Sequence, residues 1–222
     1  MYKDILLSIY DRLYKTFGPQ HWWPGETKFE IMVGAILTQN TSWQNVEKAI
    51  GELRKRDMLS FDKLKKVPVK ELASLIKSCG YYNVKAKRLK SFFDFLAEKG
   101  GVDGVFKEDS FVLRGQLLRV NGIGPETADS ILLYAGHMPF FVVDAYTKRI
   151  LRAHKIIDEK AGYEEVQNLF MDNLKCDEKL FNEYHALIVR LGKEYCKTKP
   201  KCDRCPLKGV NEEWRKREIR KT

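Results

Sequence analysis

Long apolar runs are missing from this 222-residue sequence, and none reaches the roughly 18 residues that a membrane-spanning helix requires. Internal repeats, low-complexity stretches and flexible linkers are missing as well. The N-terminus begins an amphipathic helical pattern instead of a cleavable signal. These absences exclude a membrane protein and a repeat array. We therefore expect a folded cytoplasmic protein with one large or two small domains.

Cysteine is scarce, and most of it lies near the C-terminus. Of the five cysteines, Cys196, Cys202 and Cys205 stand close together. They make a poor disulfide framework, but their spacing is typical of metal ligands in a reducing compartment. Cys79 suits a buried small apolar residue.

Acidic residues are outnumbered, with 30 Asp and Glu against 40 Lys and Arg and a net charge of +10. The excess is concentrated in residues 193–222, where eleven Lys and Arg stand against five Asp and Glu. This balance favours a polyanionic partner, although a solvated lysine-rich surface gives the same composition.

Apolar residues recur at helical spacing along almost the whole chain, beginning with Ile5, Leu6 and Ile9. Short Gly and Pro breakers separate the helical patterns. We predict an all-α fold with two helical lobes, divided by turns near Pro24 and Pro139.

A glycine hairpin, Gly122-Ile123-Gly124, separates two helical patterns. Both glycines can take positive φ and leave no Cβ in the way of a phosphate. Pro125 suits the first helical position, and Thr127 can supply a hydroxyl group. The pattern predicts a phosphate-binding turn, while an ordinary C-cap glycine would explain the glycines equally well.

The chain resembles the helix–hairpin–helix DNA glycosylases of the endonuclease III superfamily over almost its whole length. The resemblance rests on four features together, which are Leu37-Thr38-Gln39-Asn40-Thr41, the hairpin with Thr127 and Ala128, Val143-Asp144, and the C-terminal cysteine loop. It implies a six-helix lobe over about residues 25–138 and a second lobe from residues 1–24 and 139–222. It also implies a monomeric, nucleoid-associated enzyme that binds double-stranded DNA with a damaged base between the lobes.

The resemblance makes Glu126 decisive for the chemistry, because bifunctional members carry a lysine there that attacks the sugar C1′. A carboxylate cannot form a Schiff base, so we predict a DNA N-glycosylase without AP lyase activity. Asp144 is the predicted catalytic residue, which stabilises positive charge on the sugar and directs water to C1′. A helix N-cap is another role for Asp144, and it is compatible with catalysis. A lyase that used Lys148 would depart from the family geometry.

Chemistry on a paired base requires that the base leave the stack. By the resemblance, Gln39 inserts into the vacated stack, and Asn40 and the hairpin residues Gly122, Ile123, Gly124 and Thr127 bind the DNA.

The predicted base-binding residues are Trp22, Trp23, Pro24, Trp43 and Glu126. This set resembles the 3-methyladenine DNA glycosylase branch, which has a Trp-Trp-Pro run, an aromatic residue at the place of Trp43 and a glutamate at the place of Glu126. Aromatic faces attract a positively charged alkylated purine. The tryptophans could also be packing residues between the lobes. Removal of uracil or mismatched thymine, and a non-catalytic DNA-binding protein, are the alternative hypotheses.

The cysteine loop departs from the family pattern, because Asn211 stands where relatives commonly place a fourth cysteine. The resemblance implies a 4Fe–4S cluster held by Cys196, Cys202 and Cys205, with a non-cysteine or missing fourth ligand. A 3Fe–4S cluster, an empty loop, zinc with His or water, and Cys176 as a remote ligand remain open.

Basic side chains near the loop are predicted to lie close to phosphates, unless they are merely solvated. They are Lys197, Lys199, Lys201 and Arg204. Further candidates for contacts to the DNA backbone are Tyr81, Tyr82, Lys85, Lys87 and Arg88, although a surface helix explains these residues nearly as well. The histidines show no metal-ligand spacing, and we assign them no role.

Overall fold

A computed structural model describes residues 2–23 and 25–212. These residues form helices and turns with no strand, which confirms the prediction of an all-α fold. The α-helices are, in chain order, α1 (Tyr2–Phe17), α2 (Lys28–Leu37), α3 (Trp43–Lys55), α4 (Phe61–Lys66), α5 (Val69–Leu75), α6 (Tyr82–Glu98), α7 (Gly101–Gly104), α8 (Ser110–Leu117), α9 (Pro125–Ser130), α10 (Ala145–Ala153), α11 (Tyr163–Met171) and α12 (Glu178–Glu194).

Shorter helical turns complete the described ranges. Three are 3₁₀ turns, and the fourth is a π-helical segment that follows α9 directly. They are Lys77–Cys79, Val105–Lys107, Cys202–Arg204 and Ile131–Ala135. Within the described ranges no helix has both the length and the apolar character needed to cross a bilayer.

The described chain divides into two compact units. Residues 2–22 and 139–212 form the first, which we call the terminal unit. Residues 23 and 25–138 form the second, which we call the hairpin unit.

Helix α2 is the central helix of the hairpin unit. It contacts α3, α6, α9 and the π-helical segment, and Met32, Val33 and Ile36 are fully buried. Thr27 caps its start, because the Thr27 side chain accepts a hydrogen bond from the Glu30 N–H. The buried helix therefore fixes the positions of the loops that follow α2 and precede α9.

Helix α12 is the corresponding element of the terminal unit, where it packs against α1 and α10. Phe141 stacks on Phe170 at 3.7 Å between ring centroids, and the Tyr184 ring meets both rings edge to face. The Tyr184 hydroxyl donates to the Leu6 carbonyl at 2.8 Å. This aromatic cluster holds the segment that leads into α10.

Candidate functional site

The hairpin between α8 and α9 uses its two glycines differently. Gly122 has φ +87°, and a Cβ there would collide with Cγ and Cδ of Arg88. Gly124 has φ −93°, and a Cβ there would meet no atom within 4 Å. The expectation of positive φ is therefore correct for Gly122 and wrong for Gly124, which caps α9 in an extended conformation. What Gly124 provides is an open approach to the backbone.

The Gln39 side chain ties the loop after α2 to this hairpin. Its Nε2 donates to the Gly122 carbonyl and to Thr127 Oγ1, both at 2.9 Å, and Arg88 Nη1 donates to its Oε1. We call this arrangement the Gln39 latch. Insertion of Gln39 into DNA would require these hydrogen bonds to break.

Other predicted DNA-binding residues of the hairpin unit differ in exposure. Thr127 is buried with its hydroxyl directed to Gln39, and Ile123 is also buried. The side chains of Thr127 and Ile123 therefore shape the turn and are not presented to solvent. Asn40 is exposed and has φ +51°, which places it at the tip of the loop after α2.

Lys85 is not available as a phosphate contact, because its side chain is buried. Its Nζ donates to the Leu37 carbonyl at 2.8 Å and to the Cys79 carbonyl at 2.7 Å. Burial lowers the pKa of Lys85, with Cys79 opposing the shift and Arg88 adding to it. The prediction that Lys85 contacts the DNA backbone is wrong. Lys85 instead joins the end of α2 to the turn before α6. Helical spacing does place Lys85 on the buried face of α6, because the buried Leu89 and Phe92 follow it by four and seven positions. Spacing does not show which carbonyls its ammonium group meets.

Asp144 caps α10 in the terminal unit. Its Oδ1 accepts hydrogen bonds from the Thr147 N–H at 2.7 Å and from Thr147 Oγ1 at 2.8 Å. The N-cap role considered for Asp144 is therefore present. The side chain keeps 13% exposure, so the carboxylate is shielded from water but can be reached.

His185 on α12 lies behind Asp144, with Nε2 3.8 Å from Asp144 Oδ2. Burial lowers the pKa of His185, and the Asp144 charge opposes that shift. No sequence signal marks His185, because the histidines show no metal-ligand spacing and 41 positions separate His185 from Asp144.

Trp23 and Trp43 form an aromatic corner in the hairpin unit. Their ring centroids are 5.0 Å apart with planes at 86°, and Trp23 also packs against Tyr134 at 4.8 Å. A Cβ on Gly34 would lie 3.7 Å from both indoles, so the absence of a side chain at Gly34 lets both rings pack closely against α2. Trp43 Nε1 donates to Glu47 Oε1 at 2.7 Å. The corner borders a cavity of about 220 Å³ between α2 and α3.

The remaining predicted base-binding residues are distributed between the units. Trp22 belongs to the terminal unit, where Lys193 Nζ lies 5.6 Å from the centre of its ring. Glu126 is exposed in the first turn of α9. Pro24 lies outside the described residues. Within one unit, the structure therefore brings together Trp23 and Trp43 from the predicted aromatic set.

The C-terminal loop contains three free cysteines, Cys196, Cys202 and Cys205, but they are not arranged around a common centre. Burial raises the pKa of Cys205, the Leu207 N–H lowers it, and the nearby Cys196 and Cys202 thiols raise it further. The described residues contain no group of three or more His, Cys, Asp or Glu arranged to hold a metal ion. Asn211 Oδ1 is buried and has no hydrogen-bond partner within the described ranges. The donor types suit an iron–sulfur cluster, but the three thiols would have to move closer together to hold one.

An all-helical fold with a glycine hairpin locked to a buried helix defines a helix–hairpin–helix protein. Residues 33–176 match the family model described as HhH-GPD superfamily base excision DNA repair protein, and the chain belongs to that family. The protein named "Putative DNA repair glycosylase MJ1434" from Methanocaldococcus jannaschii is 48% identical over 92% of this chain and 94% of its own length.

Two solved structures share the fold. The Helicobacter pylori 3-methyladenine DNA glycosylase bound to 1,N6-ethenoadenine is 29% identical, with a TM-score of 0.72 over 87% of this chain and 97% of that one. A non-covalent endonuclease III–DNA complex has a TM-score of 0.80 at 23% identity and covers 98% of both chains. The family predicted from the sequence is confirmed, and the protein is a DNA glycosylase of base excision repair.

Proposed function

We propose that the protein removes alkylated purines such as 3-methyladenine from double-stranded DNA by flipping the base and hydrolysing its N-glycosidic bond. The aromatic corner of Trp23 and Trp43 carries this proposal, because two indoles beside a cavity suit a flipped purine that carries positive charge. The likeness to a 3-methyladenine DNA glycosylase at 29% identity supports it.

Asp144 is the proposed catalytic residue. Thr147 holds one oxygen of its carboxylate, so the negative charge is fixed in position before substrate arrives. As the glycosidic bond breaks, the charge of Asp144 stabilises the positive charge that develops at C1′ and orients the attacking water. An alkylated purine is a good leaving group, so an oriented carboxylate suffices without a strong general acid.

The proposed reaction ends at the abasic site. Glu126 cannot form a Schiff base with the sugar, and strand cleavage by β-elimination needs one. We therefore propose base release without strand breakage.

We also propose that the C-terminal loop holds an iron–sulfur cluster with an unconventional fourth position. The proposal is supported by three thiols, Cys196, Cys202 and Cys205, which stand within ten positions of one another in a basic loop. The cluster would order the basic loop and take no part in breaking the glycosidic bond.

The test is a panel of matched duplexes containing 3-methyladenine, 7-methylguanine, uracil or a G·T mismatch. Base release is measured separately from strand breakage before alkali treatment. We expect alkylpurine release without breakage. Release of only uracil or mismatched thymine would contradict the proposed substrate and favour the pyrimidine alternative. Strand breakage before alkali would show that the enzyme has lyase activity.

Asp144→Asn tests the catalytic role with the fold preserved, because asparagine is also a good N-cap. We expect base release to slow by about a hundredfold or more while DNA affinity and thermal stability stay close to wild type. An unchanged rate would contradict the role of Asp144. No release by either protein from any duplex would favour a DNA-binding protein without catalysis.

A further inference from the structure

The cavity beside the aromatic corner carries two carboxylates and one guanidinium group. The residues that matter are Trp23, Glu30, Trp43, Glu47 and Arg54. All of them belong to the hairpin unit. The balance of charge in this cavity depends on which of its charged groups are already paired.

Arg54 is committed to acids of its own unit. Its Nη2 donates to both oxygens of Glu30, at 2.9 and 3.0 Å, and its Nη1 lies 3.2 Å from Glu26 Oε1. The hydrogen bond and the charge of Glu30 raise the pKa of Arg54. Its positive charge is therefore more than balanced by its two partners.

Glu47 differs from Glu30, because no lysine or arginine among the described residues forms an ion pair with it. Its Oε1 accepts the Trp43 indole N–H at 2.7 Å. With Arg54 already neutralised, Glu47 leaves the cavity with an uncompensated negative charge.

The hydrogen bond to Glu47 also acts on the Trp43 ring. An ionised acceptor makes a short, strong hydrogen bond and draws the indole proton toward itself, which leaves more electron density on the ring. Tryptophan is already the best aromatic partner for a cation, and added electron density strengthens that attraction. Trp23 stands perpendicular to Trp43 and fixes its orientation.

These effects act on the charge of a base and not on its size. A purine methylated at N3 or N7 in DNA is positively charged, whereas 1,N6-ethenoadenine is neutral at neutral pH. Both can stack on an indole, but only the charged base gains from the Glu47 carboxylate and the enriched Trp43 face.

We infer that Glu47, through its charge and its hydrogen bond to Trp43, makes the aromatic corner select positively charged bases over neutral ones. Glu47 is thus a specificity-determining residue, and no motif in the sequence indicates this role. The inference rests on the proposed function and extends that function by naming the residue that selects the substrate.

The test compares wild type with Glu47→Gln, which keeps an acceptor for Trp43 Nε1 and removes the charge. Single-turnover rates of base release are measured on duplexes with 7-methylguanine and with 1,N6-ethenoadenine. We expect the ratio of the charged to the neutral rate to fall about three- to tenfold, in keeping with one cation–π and charge interaction at a partly exposed site. Glu52→Gln is the matched control, because Glu52 lies on the same helix, pairs with Lys55 and is outside the cavity.

A second measurement separates this inference from the proposed function. Tryptophan fluorescence at mildly acidic pH reports binding of 7-methylguanosine, which is cationic there, and of guanosine, which is neutral. We expect wild type to prefer 7-methylguanosine and Glu47→Gln to lose most of that preference. If wild type releases 7-methylguanine but the variant keeps the wild-type ratio, the role of Glu47 is overturned and the function stands. If wild type neither releases alkylpurines nor prefers 7-methylguanosine, both are overturned.

Discussion

At the scale of single residues, the two hairpin glycines show that one residue type can serve two purposes within three positions. Gly122 is required by the fold, because its φ is positive and Arg88 occupies the space of a Cβ. Gly124 has an ordinary φ and open space around it. A side chain at Gly124 is therefore tolerated by the fold, and it would meet only what approaches from outside.

Alanine at each position separates the two purposes. Gly122→Ala should lower the free energy of unfolding by about 1–3 kcal/mol, because alanine is strained at positive φ and displaces Arg88. Gly124→Ala should leave stability within about 0.5 kcal/mol of wild type and weaken binding to duplex DNA. Chemical denaturation and fluorescence anisotropy measure the two effects. Equal stability losses would contradict the distinction.

Two histidines of the terminal unit, the buried His185 and the half-buried His154, predict how stability depends on pH. Burial holds the pKa of His154 and His185 below the ordinary value of 6.5. Below about pH 6.5 the unfolded chain takes up protons that the folded chain does not, so the free energy of unfolding falls as the pH decreases. Above that pH both states hold neutral histidines, and these residues contribute no pH dependence.

His185→Gln should reduce this acid sensitivity. We expect denaturation at pH 7.5 and pH 5.5 to show a smaller loss of stability in the variant than in wild type. His137→Gln is the control, because His137 is exposed to solvent, and it should keep the wild-type difference. Identical losses in all three proteins would show that His185 is not responsible.

At the scale of elements, Lys85 joins the end of α2 to the 3₁₀ turn at Lys77–Cys79. Its ammonium group donates hydrogen bonds to the Leu37 and Cys79 carbonyls, which lie at the ends of these two elements, where helical carbonyls lack partners within the helix. A buried charge with two good acceptors is costly to remove, because the carbonyls lose their donor in a dry environment.

Lys85→Met should therefore destabilise the protein by about 2–4 kcal/mol. Lys87→Met changes the same residue type on the same helix at an exposed position, and it should stay within about 0.5 kcal/mol of wild type. Thermal unfolding measures both variants. A stable Lys85→Met protein would mean that the buried contacts contribute little.

The C-terminal loop is the second element whose role can be tested directly. Leu207 and Val210 are buried, and Arg12 Nη1 donates to the Lys208 carbonyl at 3.0 Å, so apolar packing and a hydrogen bond already hold the loop. A cluster would add to this anchoring through three thiols and one further ligand.

Asn211→Cys supplies the missing thiol. If the loop holds a cluster, we expect the variant to retain its iron and visible absorption in air longer than wild type, because four thiolates shield the cluster better than three. Lys160→Cys, which adds a thiol at an exposed position outside the loop, is the control and should behave as wild type. Wild-type protein that binds no iron after anaerobic reconstitution would overturn the proposed cluster.

At the scale of the whole molecule, the sequence predicted what depends on periodicity and local motifs. Helical spacing identified the all-α class, and the hairpin with Val143-Asp144 identified the family. The contact of Lys85 with Leu37 and the approach of His185 to Asp144 could not be predicted in this way, because the fold brings these partners together from distant parts of the sequence. The Trp43–Glu47 hydrogen bond joins residues four positions apart on α3, so helical spacing allows this contact, but spacing does not show its place beside a cavity.

The net charge of +10 predicts a steep dependence of DNA binding on salt. Each lysine or arginine that contacts a phosphate releases a counterion, so the slope of log affinity against log salt counts such contacts. Replacing Lys197, Lys199 and Lys201 by glutamine should reduce the slope by about 1 for each residue that touches a phosphate. Lys160→Gln is the control at another exposed lysine. An unchanged slope would mean that the loop lysines are merely solvated.

The burial of Lys85 also has a consequence for chemical reactivity. An ammonium group enclosed by protein and bound to two carbonyls cannot be acylated while those bonds last, whereas exposed lysines are accessible to the reagent at all times. Its labelling rate in a mass-spectrometric footprint would follow local opening of the structure around it. Lys85 is thus a built-in reporter of how often the end of α2 separates from the turn before α6.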